Sequence, residues 1–227
     1  QFKDQPVVAA ILLQVLADRY KDMGMYAAAL APQESAVAIR RRTFGEAHRD
    51  TLISINNVGY VYLGLGRQGD AERDFRLALE GRRRLLGNEH EDTIESMVNL
   101  GAALRGLGRL EETESYYREA LELSRRTLGA DHRNTISTIN NMGALLHGQG
   151  RLAEAEPYWR EALERSRRAW GEDHPFTITS VSNLGSLLLA QGKADEAAPL
   201  IQEALRKRRT ILGEENTQTL ISLISMG

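Results

Sequence analysis

Apolar residues recur at three- and four-residue steps along almost the whole chain, and short polar breaks interrupt them at regular intervals. From Thr51 to Leu65 the positions Leu52, Ile55, Val58, Gly59 and Tyr62 share one face, the spacing of a helix with a single apolar stripe. Gly66-Arg67-Gln68-Gly69-Asp70 then reads as a turn. Asp70 to Leu86 carries a second stripe of Ala71, Phe75, Ala78, Leu79 and Leu85. The same pair of patterns returns through the rest of the chain and predicts successive helix pairs.

The return is metronomic. Gly45, Gly87, Gly129, Gly171 and Gly213 are 42 residues apart, as are Gly59, Gly101, Gly143, Gly185 and Gly227. A third series is Gly24, Gly66, Gly108, Gly150 and Gly192, and a shorter one is Gly64, Gly106 and Gly148. Threonines (51, 93, 135, 177, 219) and asparagines (57, 99, 141, 183) keep the same beat. Glycine is disfavoured inside helices by about 1 kcal/mol, so its placement carries information. The Gly66 and Gly87 series are expected as left-handed stops of first and second helices. The Gly59 series falls inside first helices, where close approach of a neighbouring helix explains it. Pro175 suits the first turn of a helix, and Pro157 and Pro199 are expected near the starts of theirs.

The most apolar stretch is Pro6 to Ala17. It is shorter than the roughly 20 residues of a membrane span and lacks the basic leader and cleavage site of a signal peptide. It is expected as a buried helix. The chain starts without Met and stops at Ser225-Met226-Gly227, and is read as a piece of a longer protein.

Composition narrows the chemistry. Of 227 residues, 42% are hydrophobic and 26% charged, as in an ordered, soluble domain. The absence of cysteine excludes disulfides, thiol nucleophiles and thiolate metal sites, and is compatible with a reducing, cytoplasmic setting. With 29 Lys plus Arg against 31 Asp plus Glu, the formal charge is −2, which argues against a globally cationic nucleic-acid binder.

The repeating residues resemble the tetratricopeptide repeat, whose pattern is Trp-x2-Leu-Gly-x2-Tyr, then Ala-x3-Phe, then Ala. Ile55, Val58, Gly59, Tyr62, Ala71, Phe75 and Ala78 match it in one unit; Ile139, Met142, Gly143, Leu146, Ala155, Trp159 and Ala162 match it in another. The 42-residue length is similar to the kinesin-light-chain type, as are Leu-Gly-x-x-His at 86–90 and 128–132, Asn-Asn-Met-Gly at 140–143 and Gly-Arg-Leu-Ala-Glu-Ala-Glu at 150–156. The resemblance implies an all-α fold: a right-handed α-solenoid, or superhelix, of stacked antiparallel helix pairs. It would be one domain over 1–227, with a degenerate repeat at 2–43, repeats at 44–85, 86–127, 128–169 and 170–211, and a partial repeat at 212–227.

A helix pair cannot bury its apolar face alone, so pairs stack and first helices line a concave surface. The resemblance places Asn57, Asn99, Asn141 and Asn183 on that surface, with Asn56, Tyr60, Arg105, Asn140, His147 and Ser186 as variable neighbours. An amide side chain offers donors and an acceptor, so such a ladder can hold a peptide main chain. The alternative is that the asparagines bond neighbouring helices and serve packing.

The expected function is a protein-interaction scaffold that binds an extended peptide of a partner. Two alternatives stand beside it. Arginine runs at 40–42, 82–84, 125–126, 167–168 and 206–209 (with Lys207) could follow phosphates in a nucleic acid. The apolar segment from Val7 to Val15 could mediate self-assembly. The plainer reading of the arginines is charge against helix C-termini and pairing with Glu80, Glu122 and Glu164. His48, His90, His132 and His174 are expected as loop packing, since one metal needs ligands at about 2 Å and stacked repeats lie about 8–10 Å apart. Gly64-Leu65-Gly66-Arg67-Gln68-Gly69 follows a helix and not a strand, so it is no phosphate loop. No cofactor, metal or catalytic residue is assigned, and no enzyme is expected.

Overall fold

The computed structural model describes residues 5–212. The expected partial repeat lies outside the described residues except for Leu212, as do Gly213, Thr219 and Gly227. Among the described residues ten helices form and no strand. They are α1 (Pro6–Asp22), α2 (Tyr26–Phe44), α3 (Arg49–Gly64), α4 (Gln68–Leu86), α5 (Glu91–Gly106), α6 (Leu110–Thr127), α7 (Arg133–Gly148), α8 (Leu152–Trp170), α9 (Pro175–Ala190) and α10 (Ala194–Leu212).

The chain forms two compact units, Gln1–Leu123 and Ser124–Gly227, with the boundary inside α6. In the first, α1 packs on α2, α2 on α3, α3 on α4 and α4 on α5. In the second, α7 packs on α8, α8 on α9 and α9 on α10. Both are stacks of antiparallel helix pairs, as a solenoid requires, because each helix buries its stripe against its chain neighbours.

Four first helices start the same way. His48, His90, His132 and His174 are their N-caps, each with an extended backbone and a ring nitrogen accepting the amide hydrogen two residues on. The distances are 3.2 Å to Asp50, 3.1 Å to Asp92, 3.2 Å to Asn134 and 3.2 Å to Phe176. Each satisfies an amide that has no partner inside the helix. The periodic histidines are therefore caps, a more specific role than loop packing. Pro175 stands in the first turn of α9, as expected, whereas Pro157 and Pro199 sit inside α8 and α10.

The helix stops divide into two kinds. Gly66 has φ +70°, and the Arg67 amide reaches back to the Tyr62 carbonyl at 2.9 Å, a left-handed stop of the expected type. Gly87 differs from expectation, with φ +85° and ψ 170°. That extended region at positive φ is accessible only to glycine. It turns the chain sharply toward the next first helix. Two of the periodic threonines tie into the same turn, Thr51 Oγ1 donating to the Gly45 carbonyl at 2.8 Å and Thr135 Oγ1 to that of Gly129 at 2.7 Å, whereas the Thr93 and Thr177 hydroxyls are buried without a hydrogen-bond partner.

The core explains the glycines inside first helices. A Cβ on Gly59 would lie 2.6 Å from the ring of Phe75, and one on Gly143 would lie 2.6 Å from Trp159. Tyr117 covers Gly101 in the same way. At these three the close neighbour is an aromatic side chain of the same repeat's second helix, whereas at Gly185 it is Ile201, with Cγ1 at 2.9 Å and the backbone nitrogen at 3.4 Å. Phe75 and Tyr117 are fully buried. The Tyr117 hydroxyl has no hydrogen-bond partner, and burial pushes it up to about 12.

Helix α1 departs from the expected buried helix. It buries Ala10 and Ala17 but leaves Val7, Val8, Ile11, Leu12, Val15 and Leu16 between 36% and 50% exposed. Among the described residues no helix is long and apolar enough to cross a membrane.

Candidate functional site

The solvent side of the first helices is where the sequence placed its candidates. The structure separates them into two groups, and the division follows hydrogen bonding.

The first group is tied into the stack. In the first unit Asn99 is 5% exposed, and its Nδ2 donates to Asn56 Oδ1 at 3.2 Å. Tyr60 in turn donates its hydroxyl hydrogen to Asn99 Oδ1 at 2.6 Å, and Ser96 Oγ reaches Asn56 Oδ1 at 3.4 Å. Asn56, Tyr60 and Asn99 therefore form one polar strut between α3 and α5. The second unit repeats the device: Asn183 Nδ2 donates to Asn140 Oδ1 at 2.8 Å, bridging α7 and α9. The Asn140 carbonyl accepts from Trp159 Nε1 at 3.1 Å. A buried amide without partners costs about 1–3 kcal/mol, so these asparagines stabilise the stack.

The second group keeps its polar atoms available. Asn57 on α3 and Asn141 on α7 are half-buried, and their side-chain amides make no hydrogen bond to any described residue. Arg105, near the end of α5, is exposed and has no ion pair among the described residues. His147 is half-buried, its ring tilted against Trp159 with centroids 5.3 Å apart. The half-buried Ser186 sits on α9. Each unit thus carries one strut asparagine pair and one open asparagine.

Most of the periodic arginines on second helices are already paired. Arg83 meets Glu119 at 2.8 Å, Arg125 meets Glu161 at 2.7 Å and Arg167 meets Glu203 at 3.3 Å. Each links one second helix to the next. A parallel rail joins Glu72 to Arg109 at 3.1 Å and Glu156 to Lys193 at 2.8 Å. Hydrogen bonds from Lys193 and Arg160 hold the Glu156 carboxyl down at about 2. Of the pairs expected within one helix, Glu164 and Arg168 are 2.5 Å apart. The cross-helix rails were missed by sequence reasoning, although Glu119, Glu161 and Glu203 keep the repeat's beat. Among the described residues no three histidine or carboxylate side chains are placed to hold a metal.

Comparison with known folds places this arrangement. A kinesin light chain-like protein of nearly identical TPR-like repeats from Podosopora anserina superposes with TM-score 0.71 at 20% identity, covering 91% of this chain and 97% of that one. BtubC (BKLC) from P. vanneervenii gives TM-score 0.73 at 22% identity, covering 95% and 87%. The Rap conjugation gene regulator of the plasmid pLS20, in complex with the Phr* peptide, gives 0.80 at 18% identity, covering 95% of this chain and 57% of that one. At these identities the likeness is one of fold. No curated relative matches the chain. The tetratricopeptide repeat profile matches residues 7–84, 92–158 and 134–210, so most of the chain lies within it and the chain belongs to the tetratricopeptide repeat family.

Proposed function

We infer that this chain, as a member of the family, is a protein-interaction scaffold. We propose that the first-helix face of each unit holds an extended peptide segment of a partner protein. The observation that carries the reading is the pair of open amides at Asn57 and Asn141. Each is half-buried in a surface that the strut asparagines hold in place, yet neither is bonded to the protein. An amide so placed can donate to a main-chain carbonyl and accept from a main-chain amide of a bound strand. That recognition is indifferent to sequence. Arg105 and Tyr60 in one unit, and His147 in the other, then set side-chain preference. The peptide complex of the Rap regulator supports the reading, and the absence of cysteine suits a reducing compartment.

The test is fluorescence anisotropy against peptides selected from an array on the intact chain. Asn57→Ala with Asn141→Ala should weaken the best binder about tenfold, the loss of one or two neutral hydrogen bonds at about 0.5–1.5 kcal/mol each. Asn99→Ala should act on stability instead. A folded Asn57/Asn141 double variant with undiminished affinity would remove the amides from the site. The paired state of Arg83, Arg125 and Arg167 gives the nucleic-acid alternative no support, and peptide affinity should change little between low and moderate salt.

A further inference from the structure

Helices α1, α2 and α3 border an open cavity of about 270 Å³ at the first helix junction. Its most buried polar group is Arg40, a second-helix residue only 9% exposed. One nitrogen of its guanidinium, Nη1, donates to Gln14 Oε1 and to Ser54 Oγ. Both acceptors are neutral, and no described carboxylate comes within ion-pair distance of Arg40. A buried charge left without a counter-charge is costly.

The next junction shows what is missing. Arg82 occupies the same repeat position and is 3% exposed. Its Nη1 donates to Ser96 Oγ at 2.8 Å and to the Asp92 carbonyl at 2.7 Å, and Glu95 Oε2 stands 3.3 Å away as counter-ion. One repeat earlier, Ser54 corresponds to Ser96, but Ile53 corresponds to Glu95. At two later junctions the arginine position holds Ser124 and Ser166, so no buried cation needs balancing there. The first junction keeps the cation and has lost the anion.

The rest of the cavity is mixed. Ile11, Val15 and Ile53 form apolar walls, and Asp18 and Asp50 also line it. Ile11 and Val15 are 48% and 50% exposed, so apolar surface stands open beside the charge. Asp18 is partly engaged by Lys21 at 2.7 Å. Burial pulls the Arg40 guanidinium below its ordinary value, and the attraction of Asp50 and Asp18 restores only part of that. The two acids therefore do not replace Glu95. A ligand with only a carboxylate would satisfy Arg40 but be repelled by Asp18 and Asp50. A ligand with only an amine would face the reverse conflict.

We propose that this cavity is a binding site for a free aliphatic α-amino acid. The carboxylate lies on Arg40, the ammonium faces Asp50 and Asp18, and the branched side chain covers Ile11, Val15 and Ile53. The cavity is near the lower end of small-molecule sites, which suits one amino acid. The site is independent of the peptide-binding face, and its probe contains no peptide bond.

Isothermal titration and saturation-transfer NMR of the intact chain with L-leucine test it. Saturable binding is expected at or below millimolar concentration. 4-Methylpentanoate, which lacks the ammonium, and isopentylamine, which lacks the carboxylate, should each bind about tenfold or more weakly. Ile53→Glu supplies the carboxylate found at Glu95 and should abolish leucine binding while circular dichroism stays unchanged. Arg40→Ser installs the residue found at Ser124 and Ser166, and should abolish binding by a second route should Ile53→Glu not fold. Absence of saturation by about 10 mM leucine, equal binding of either comparator, or unchanged binding in a folded variant overturns the proposal. None of these outcomes bears on Asn57 and Asn141, whose test uses peptides alone.

Discussion

Gly59→Ala should destabilise the protein, although the same change in an exposed helix normally stabilises it. The propensity gain is about 1 kcal/mol. Against it stands Phe75, whose Cε1, Cδ1 and Cζ would lie 2.6, 2.8 and 2.9 Å from the new methyl group, where ordinary contacts run 3.4–4 Å. The ring must retreat by roughly 1 Å, and it is fully buried, so the core must move with it. Overpacking of this kind costs about 1–3 kcal/mol. Three ring atoms inside 3.0 Å put the site in the upper part of that range. The net loss is then about 1–2 kcal/mol, or a fall of about 2–8 °C in Tm for a chain of this size. Two comparisons isolate the cause in urea and thermal unfolding followed by far-UV circular dichroism. Gly69→Ala lies in the first turn of α4 with nothing within 4 Å of its Cβ, and should be neutral or stabilising. Phe75→Leu combined with Gly59→Ala should show a favourable coupling of about 1 kcal/mol or more in a double-mutant cycle. A Gly59→Ala protein as stable as the parent, or zero coupling with Phe75→Leu, would refute the aromatic-seat account of Gly59, Gly101 and Gly143.

Asn99→Ala removes the donor to Asn56 and the acceptor of Tyr60, so it should cost about 1–3 kcal/mol in urea unfolding; a loss below a few tenths would discard the strut. His90→Ala should lower stability by about 0.5–2 kcal/mol through loss of the α5 cap, and His90→Asn, which can accept from the same amide, should recover most of it. Tyr117→Phe deletes a buried hydroxyl that has no partner and should leave Tm unchanged or raise it, as the residue at the same position, Phe75, illustrates; a clear fall would reveal a bond to that hydroxyl. Glu156 titrates at about 2 because Lys193 and Arg160 bond its charged form. A depressed carboxylate stabilises above its unfolded value of 4.5 and loses that contribution as pH falls toward 2. The acid limb of a Tm-against-pH curve should therefore be shallower in Glu156→Gln, and superimposable curves would contradict the pairing.

The fold was legible because its determinants are local and periodic. Glycine phases marked the helix stops, and apolar steps of three and four marked the buried stripes. Each needs only the residues of one repeat. The meaning of a mark was harder to read than its position. Gly59 announces a close neighbour but not whether that neighbour is a backbone or the Phe75 ring. Histidine is an uncommon N-cap, so His48, His90, His132 and His174 were periodic without being recognisable as caps. The side-chain partners were less legible still, because contacts between repeats do not run at the period. The strut asparagines are 43 residues apart, one rail of ion pairs spans 36, and the other spans 37. A residue touches a place on the adjacent helix that is offset from its own counterpart, so aligning Asn57, Asn99, Asn141 and Asn183 in one column hides the contact. Offset by one, Asn56 faces Asn99 and Asn140 faces Asn183. By the same offset Asn57 corresponds to Gln14, whose Oε1 already accepts from Arg40. In the first unit, what separates the strut Asn99 from the open Asn57 is therefore the state of the side chain one position earlier in the preceding repeat: the Asn56 oxygen receives the Asn99 amide, whereas the Gln14 oxygen is taken by Arg40. Asn56→Val tests this directly. It should leave the Asn99 amide without its acceptor and cost about 1–3 kcal/mol in urea unfolding, and a variant as stable as the parent would break the link between the offset acceptor and the strut.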